Sequence, residues 1–313
     1  MASAPVNASS VPDGYLSTNF MDLLSLSRTV QVVTGGARGI GLALAFAIAE
    51  AGGQIAIIDA APEPHANYAL LQSACDKVEY YQSVSLSLPL AFASLDYGTP
   101  STDACECLRG HRSDVTDHGR LSNTFEDIVR DFGRVDGIIT AAGICPDQPF
   151  LSRDPASVKR CLEINTLGTY YSVQLAAAQM TKQPTLPGRA GAGSVVMIAS
   201  IAAHQASKDQ HTSDYCMSKG GVLALTKQLG VELASHQIRV NCLSPGYIAT
   251  DMTAELIEKR PLLGEIFNSE PPMKRIGDRK DLKAAAVFLL SDGSAYMTDA
   301  EMLITGGMHA GRI

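Results

Sequence analysis

The chain has 313 residues, of which 46% are hydrophobic and 18% charged, with a formal net charge of −7. That apolar content is enough to fill a buried core, yet no run approaches the ~18 continuous apolar residues of a membrane span. The acidic balance lacks the basic clusters that nucleic acid or an anionic membrane would require, so neither is an expected partner.

The first 26 residues are rich in Ser, Ala, Asn and Pro, and they predict a flexible tail ahead of a single domain over 27–313. Seven cysteines without a secretory leader predict reduced thiols and a cytoplasmic protein. Cys105 and Cys107 lack the second ligand pair of a zinc site, so no metal is expected. Val- and Ile-rich runs at 30–33, 55–58, 135–139, 195–198 and 238–243 predict buried strands. Helical spacing lies between them, as in Leu42, Phe46 and Ala49, and again in Val222, Leu225, Leu229 and Leu233. Such alternation implies an α/β fold with one parallel sheet covered by helices on both faces.

Residues at about 83–112 interrupt this rhythm with an atypical insertion. The stretch is Ser- and Leu-rich, then loop-like, and separates a strand expected at 78–82 from a turn at 113–117. About 30 residues without a period are unusual in a compact domain. Two readings stay open: a surface insertion, or translation of an unremoved intron, since deletion rejoins a continuous strand and turn.

The first functional motif, Thr34-Gly35-Gly36-Ala37-Arg38-Gly39-Ile40-Gly41, follows one predicted strand and opens a predicted helix. A glycine turn in that position lets the backbone approach a pyrophosphate, and the helix N-terminus offers unpaired N–H groups and a favourable dipole. Gly35, Arg38, Gly39, Ile40 and Gly41 are therefore the expected dinucleotide cradle of a Rossmann-type, doubly wound sheet. Asp59 ends the next strand, placed to accept hydrogen bonds from ribose hydroxyls, which favours NAD(H). Arg38 would instead pair with the 2′-phosphate of NADP(H).

Tyr215 and Lys219 stand four residues apart, on one face of a predicted helix. A phenol with a pKa of about 10 is a weak base, and bringing it near neutrality requires roughly 3 to 4 kcal/mol. An adjacent ammonium and a positive nicotinamide ring would supply this in a partly dry cleft.

Together the glycine turn, Asp114, Ala141-Ala142-Gly143, Asn165, Tyr215 with Lys219, and Ser244-Pro245-Gly246-Tyr247-Ile248-Ala249-Thr250 resemble the short-chain dehydrogenases/reductases. The resemblance runs from about Ser27 to the C-terminus, the insertion apart. Residues 271–277 and 303–307 resemble the fungal sorbose reductase and arabinitol dehydrogenase branch. The resemblance implies an NAD(P)(H)-dependent oxidoreductase that interconverts a ketone and a secondary alcohol, with a ketose, a polyol or a secondary-metabolite ketone as substrate. It implies that Tyr215 is the acid/base, that Lys219 lowers its pKa and binds the nicotinamide ribose, and that Asn165 holds a relay water. Asp114 and Val115 would meet the adenine, Ala142 and Gly143 would line the dinucleotide, and Ile248 and Thr250 would meet the nicotinamide and phosphates. A homotetramer or homodimer is implied as well.

Two departures stand out. Ala141 replaces the Asn usual before Ala-Gly. The substrate-polarising serine, thirteen residues before the tyrosine in the family, falls on Ala202, with Ser200 two residues earlier. Residues two apart in extended chain face the same way, so Ser200 is the expected donor, with His204, Ser207 and Ser213 as spare donors. Plainer readings stay open: Asn165 as a helix-bending residue, Thr250 as a helix cap, and the apolar residues of a lid over 252–272 as ordinary packing. The alternative function is a catalytically weak dinucleotide-binding scaffold or sensor. A retained intron at 83–112 predicts a shorter spliced transcript; sequencing that finds only the long form removes that reading.

Overall fold

The computed structural model describes residues 18–82 and 114–311, so the insertion at about 83–112 lies outside the described residues, as do 1–17. The apolar runs form strands β1 (Val30–Thr34), β2 (Gln54–Asp59), β3 (Val78–Gln82), β4 (Gly137–Thr140), β5 (Gly193–Ile198), β6 (Ile238–Pro245) and β7 (Glu301–Ile304). All pair in parallel within one sheet, in the order β3-β2-β1-β4-β5-β6-β7. Parallel strands covered on both faces need continuous apolar sequence, and every residue of β1 and β4 is buried. Chain order reverses between β1 and β4, which opens a crevice at the carboxyl ends of the strands.

Between the strands lie helices α1 (Phe20–Leu23), α2 (Gly39–Glu50), α3 (Tyr68–Ala74), α4 (His118–Phe132), α5 (Pro155–Leu162), α6 (Gly168–Met180), α7 (Ser213–Glu232), α8 (Asp251–Lys259), α9 (Leu262–Ser269) and α10 (Lys283–Leu290). Side chains alternate across each strand and so build two cores. On one face Val33, Ile57 and Ile139 pack with Leu44 and Ile48 of α2 and Leu289 of α10. On the other, Val32, Ile58 and Ile138 pack with Ile128 of α4, Val173 of α6 and Val222 of α7. Local signals bound α4: Asp117 accepts the Arg120 N–H at 3.1 Å, and Gly133, at φ 81°, ends the helix in the left-handed region that favours glycine.

The structure adjusts several expected boundaries. β4 begins at Gly137 rather than at Val135, and β7 adds an edge strand that hydrophobic runs did not mark. Leu26 is fully buried, so packing of the domain reaches at least one residue ahead of 27. Beyond β6, Leu256, Ile257, Leu263 and Phe267 pack with Ile266, Tyr247 and Ile276 into a small core of their own. Ordinary packing thus accounts for these apolar residues of the 252–272 segment, whereas Leu262 is exposed. No helix among the described residues is long and apolar enough to cross a membrane.

Ile138 lies fully buried in the central strand β4. Ile138→Ala is expected to destabilise the fold by about 2 to 5 kcal/mol, measured by urea unfolding.

Candidate active site

The glycine turn leaves β1 directly beside the exit of β4. Gly35 has φ +70°, and a Cβ there would lie 2.5 Å from the Ala142 amide nitrogen, so no larger residue fits. Gly39 opens α2 at φ +59°, and open space lies where its Cβ would stand. Arg38 occupies the N-cap position but makes no side-chain capping bond. Unpaired N–H groups, a helix dipole and an open cradle fit an anionic phosphate, which is a chemical match to a dinucleotide.

Asp59 ends β2 and braces this turn: its carboxylate accepts the Ala37 N–H at 2.8 Å and the Ala61 N–H at 2.9 Å. The Arg38 side chain is exposed. Asp114 accepts the Thr116 N–H at 3.0 Å and pairs with Arg160 at 3.3 Å. Burial works to raise its carboxyl pKa, but the Thr116 bonds and the Arg160 charge outweigh burial and hold it below the usual range. The Val115 side chain packs into the core.

Across the crevice, α7 carries Tyr215 and Lys219. Lys219 is buried, donates from Nζ to the Ile198 carbonyl at 2.7 Å, and lies 5.7 Å from the centre of the Tyr215 ring. Gly143 faces it, and a Cβ there would come within 3.7 Å of Nζ and 3.3 Å of Asn165 Oδ1. Asn165 is fully buried in a π-helical turn, Glu163–Leu167, that joins α5 to α6. Its amide donates to the Ile144 carbonyl and to Ser218 Oγ, both at 2.9 Å, and accepts the Ile144 N–H at 2.9 Å. Both amide N–H groups are committed within the protein, so the side chain secures the Ile144 wall, consistent with the helix-irregularity reading.

Ser200 lies two residues past β5, buried and in extended backbone, where it caps the turn Ile201–Ala203 and accepts the Ala202 N–H at 3.1 Å. Its hydroxyl lies near enough to the Tyr215 phenol to oppose a rise in the phenol's pKa. Ser200 stands fifteen residues before the tyrosine, with the turn Ile201–Ala203 and a loop between it and α7. Of the spare donors, His204 pairs with Glu301 at 2.6 Å and Ser213 is exposed.

Burial sets the electrostatics of the pair. It pushes the Tyr215 phenol above its ordinary value, Cys145 adds to the rise, and the Ser200 hydroxyl opposes it. Burial likewise brings Lys219 down to about 8. The lowering expected for Tyr215 is thus not produced by the chain's own groups, because removing a phenolate from water outweighs an ammonium near the ring.

Ile248 is buried and bridges to Gly277. Thr250 caps α8: its hydroxyl accepts the Thr253 N–H at 3.3 Å, and its own N–H donates to Thr253 Oγ1 at 2.8 Å, as the plainer reading required. Sequence reasoning passed over Asp214 and Arg153, a buried ion pair beside Tyr215. The position of Asp214 next to the tyrosine was the one available signal, while Arg153, 61 residues away, carried none.

The chain matches, over residues 100–309, the family model described as enoyl-(acyl carrier protein) reductase. It is 32% identical to an NADP-dependent mannitol dehydrogenase of Hypocrea jecorina, over 92% of this chain and 94% of that protein. An NADH-dependent L-xylulose reductase of Ambrosiozyma monospora is 28% identical over 93% of this chain and 98% of its own. The crystal structure of a short-chain type dehydrogenase/reductase from Mycobacterium marinum superposes with a TM-score of 0.76 at 28% identity, covering 94% of this chain and all of that one.

Burial lowers the folded pKa of Lys219 to about 8 from an ordinary 10.5. Between these values the unfolded chain binds the extra proton, so this group makes stability rise with pH across that window. Unfolding free energies of wild type and Lys219→Met, compared at pH about 7.5 and about 10, are expected to show the rise only in wild type; an identical pH response contradicts the assignment.

Proposed function

The chain belongs to the short-chain dehydrogenases/reductases and is an oxidoreductase acting on CH–OH groups with a nicotinamide dinucleotide, and from that premise we propose that Tyr215 is the acid/base in the interconversion of a ketose and its polyol. The observation that carries this reading is the buried Lys219, whose Nζ lies 5.7 Å from the centre of the Tyr215 ring and donates to the Ile198 carbonyl, with Ser200 buried just past the end of β5. A catalytically weak scaffold, supported by Ala202 and the insertion at about 83–112, stays the alternative.

Gly35, Arg38, Gly39, Ile40 and Gly41, with Asp59, Asp114, Ala142, Gly143, Ile248 and Thr250, would hold the dinucleotide. When bound, it supplies the hydride exchanged at the substrate carbon. Ser200 donates a hydrogen bond to the substrate oxygen, where charge develops. Tyr215, whose burial keeps the phenol protonated, gives its proton to that oxygen in reduction and takes it back in oxidation. Lys219 favours the phenolate left behind, and solvent resupplies the proton; the Asn165 side-chain N–H groups are committed to Ile144 and Ser218 and are not free to hold a relay water.

Asp59 favours NAD(H), because a 2′-phosphate would face a like charge there; Arg38 supports NADP(H) as the alternative. The two sugar-acting relatives are named for opposite cofactors, so Asp59 carries the choice. Their names, mannitol dehydrogenase and L-xylulose reductase, support a ketose or polyol substrate. Leu167, Tyr170 and Met217 are exposed along the α6 and α7 region, which supports a homotetramer or homodimer, and the cytoplasm is the proposed compartment.

Wild type assayed with D-fructose, D-mannitol, L-xylulose and L-rhamnose, and with both cofactors, is expected to turn over at least one of them with NAD(H) preferred. Tyr215→Phe should lower kcat by about 10²- to 10⁴-fold and Ser200→Ala by about 10²- to 10³-fold, with cofactor affinity retained. Normal turnover by Tyr215→Phe sinks the acid/base assignment, and a marked preference for NADPH overturns that of Asp59.

A further inference from the structure

Arg153 and Asp214 form an ion pair whose side chains are 3% and 1% exposed, immediately beside the tyrosine. The guanidinium grips both carboxylate oxygens through Nε and Nη2, the Nε contact at 3.1 Å. Its remaining N–H groups reach the carbonyls of Gln148 and His211, both at 2.7 Å, and of Pro146 at 3.0 Å. All five donors are used, and they join three segments: the chain leaving β4, the loop ahead of α7, and the first turn of α7 itself. Asp214 completes the connection by accepting the backbone N–H of Tyr215 at 2.7 Å. Further bonds run parallel to it, with the Gln148 N–H on the His211 carbonyl at 3.1 Å and the His211 N–H on Asp147 at 2.7 Å.

Stability alone does not call for this arrangement. Well-packed apolar residues generally replace a buried ion pair without loss, since two charges must be withdrawn from water to make it. A bidentate guanidinium supplies something apolar contact lacks, a fixed direction between the groups that it joins. Here those groups are the Ile144 side of the cleft and the helical turn carrying the phenol.

We propose that Arg153 is a positioning residue for Tyr215: through Asp214 it fixes the first turn of α7 against the 146–148 segment and so sets where the phenol meets the substrate oxygen. This rests on the acid/base role of Tyr215. A displacement of about 1 Å at a reacting group lowers turnover by as much as ~10²-fold, and the glycine turn, on the far side of the crevice, is not part of the clasp.

The test uses Arg153→Met, Arg153→Lys and Asp214→Asn, the last of which keeps an acceptor for the Tyr215 N–H. With the best substrate of the panel above, Arg153→Met and Asp214→Asn should each lower kcat about 10- to 100-fold, and Arg153→Lys should recover part of the loss. The NADH dissociation constant, read by fluorescence, should stay within about twofold of wild type. An unchanged kcat in a folded variant overturns the proposal, as does a matching fall in kcat and NADH affinity, which marks a merely structural pair. Should Arg153→Met fail to fold, Asp214→Asn decides alone, and failure of both to fold also overturns the proposal. Normal turnover by Tyr215→Phe, or no turnover of the panel by wild type, sinks the underlying reading instead.

Discussion

The close approach of Gly35 to Ala142 is the constraint around which the two halves of the site are arranged. β1 and β4 are neighbours in the sheet although they are far apart in the chain, and their exits touch at backbone level. A side chain at 35 would separate them, and with them the glycine turn proposed to hold a phosphate and the Ala142-Gly143-Ile144 wall that faces Asn165 and Lys219. The parallel sheet brings the chemistry together because every contributing segment leaves at the same end: Asp59 from β2, Gly143 from β4, Ser200 from β5 and Ile248 from β6.

Within that crevice, dehydration moves the two titrating groups toward their neutral forms, the phenol up and the ammonium down. The protein answers with directed hydrogen bonds. Lys219 has the Ile198 carbonyl, and Asn165 ties Ile144 to Ser218. These bonds fix orientation more than charge. If Tyr215 is the acid/base proposed above, proton transfer in this cleft depends on a partner that restores the charged form of the tyrosine, and the chain's own side chains describe an acid more readily than a base.

Much of this was legible in the residues. Continuous apolar runs marked five of the seven strands among the described residues, because a parallel strand buried on both faces tolerates little else. β7 escaped notice since its Glu-Met-Leu-Ile run is short and half-buried at the sheet edge. The glycine turn and the Tyr215–Lys219 spacing were readable because both are local in sequence. Ser200 was harder: counting from the tyrosine pointed to Ala202, and the turn at Ile201–Ala203 that follows Ser200 carries no clear mark in the sequence. Arg153 lay beyond reach, for nothing local distinguishes an arginine that will cross to another helix from one left in solvent. The direction of the Tyr215 shift was also hidden, as burial is a property of the assembled cleft.

The π-helical turn at Glu163–Leu167 has a consequence for how this site tolerates change. An α-helix advances about 100° per residue, so one additional residue within a turn sets the segments on either side out of angular phase with each other. α5 and α6 therefore present faces that a regular helix of the same sequence would not. A single-residue deletion there would regularise the backbone ladder while rotating Asn165 away from Ile144, a case in which improved helical geometry and an intact site exclude one another. Length in this short stretch is thus more tightly constrained than the identity of most of its side chains.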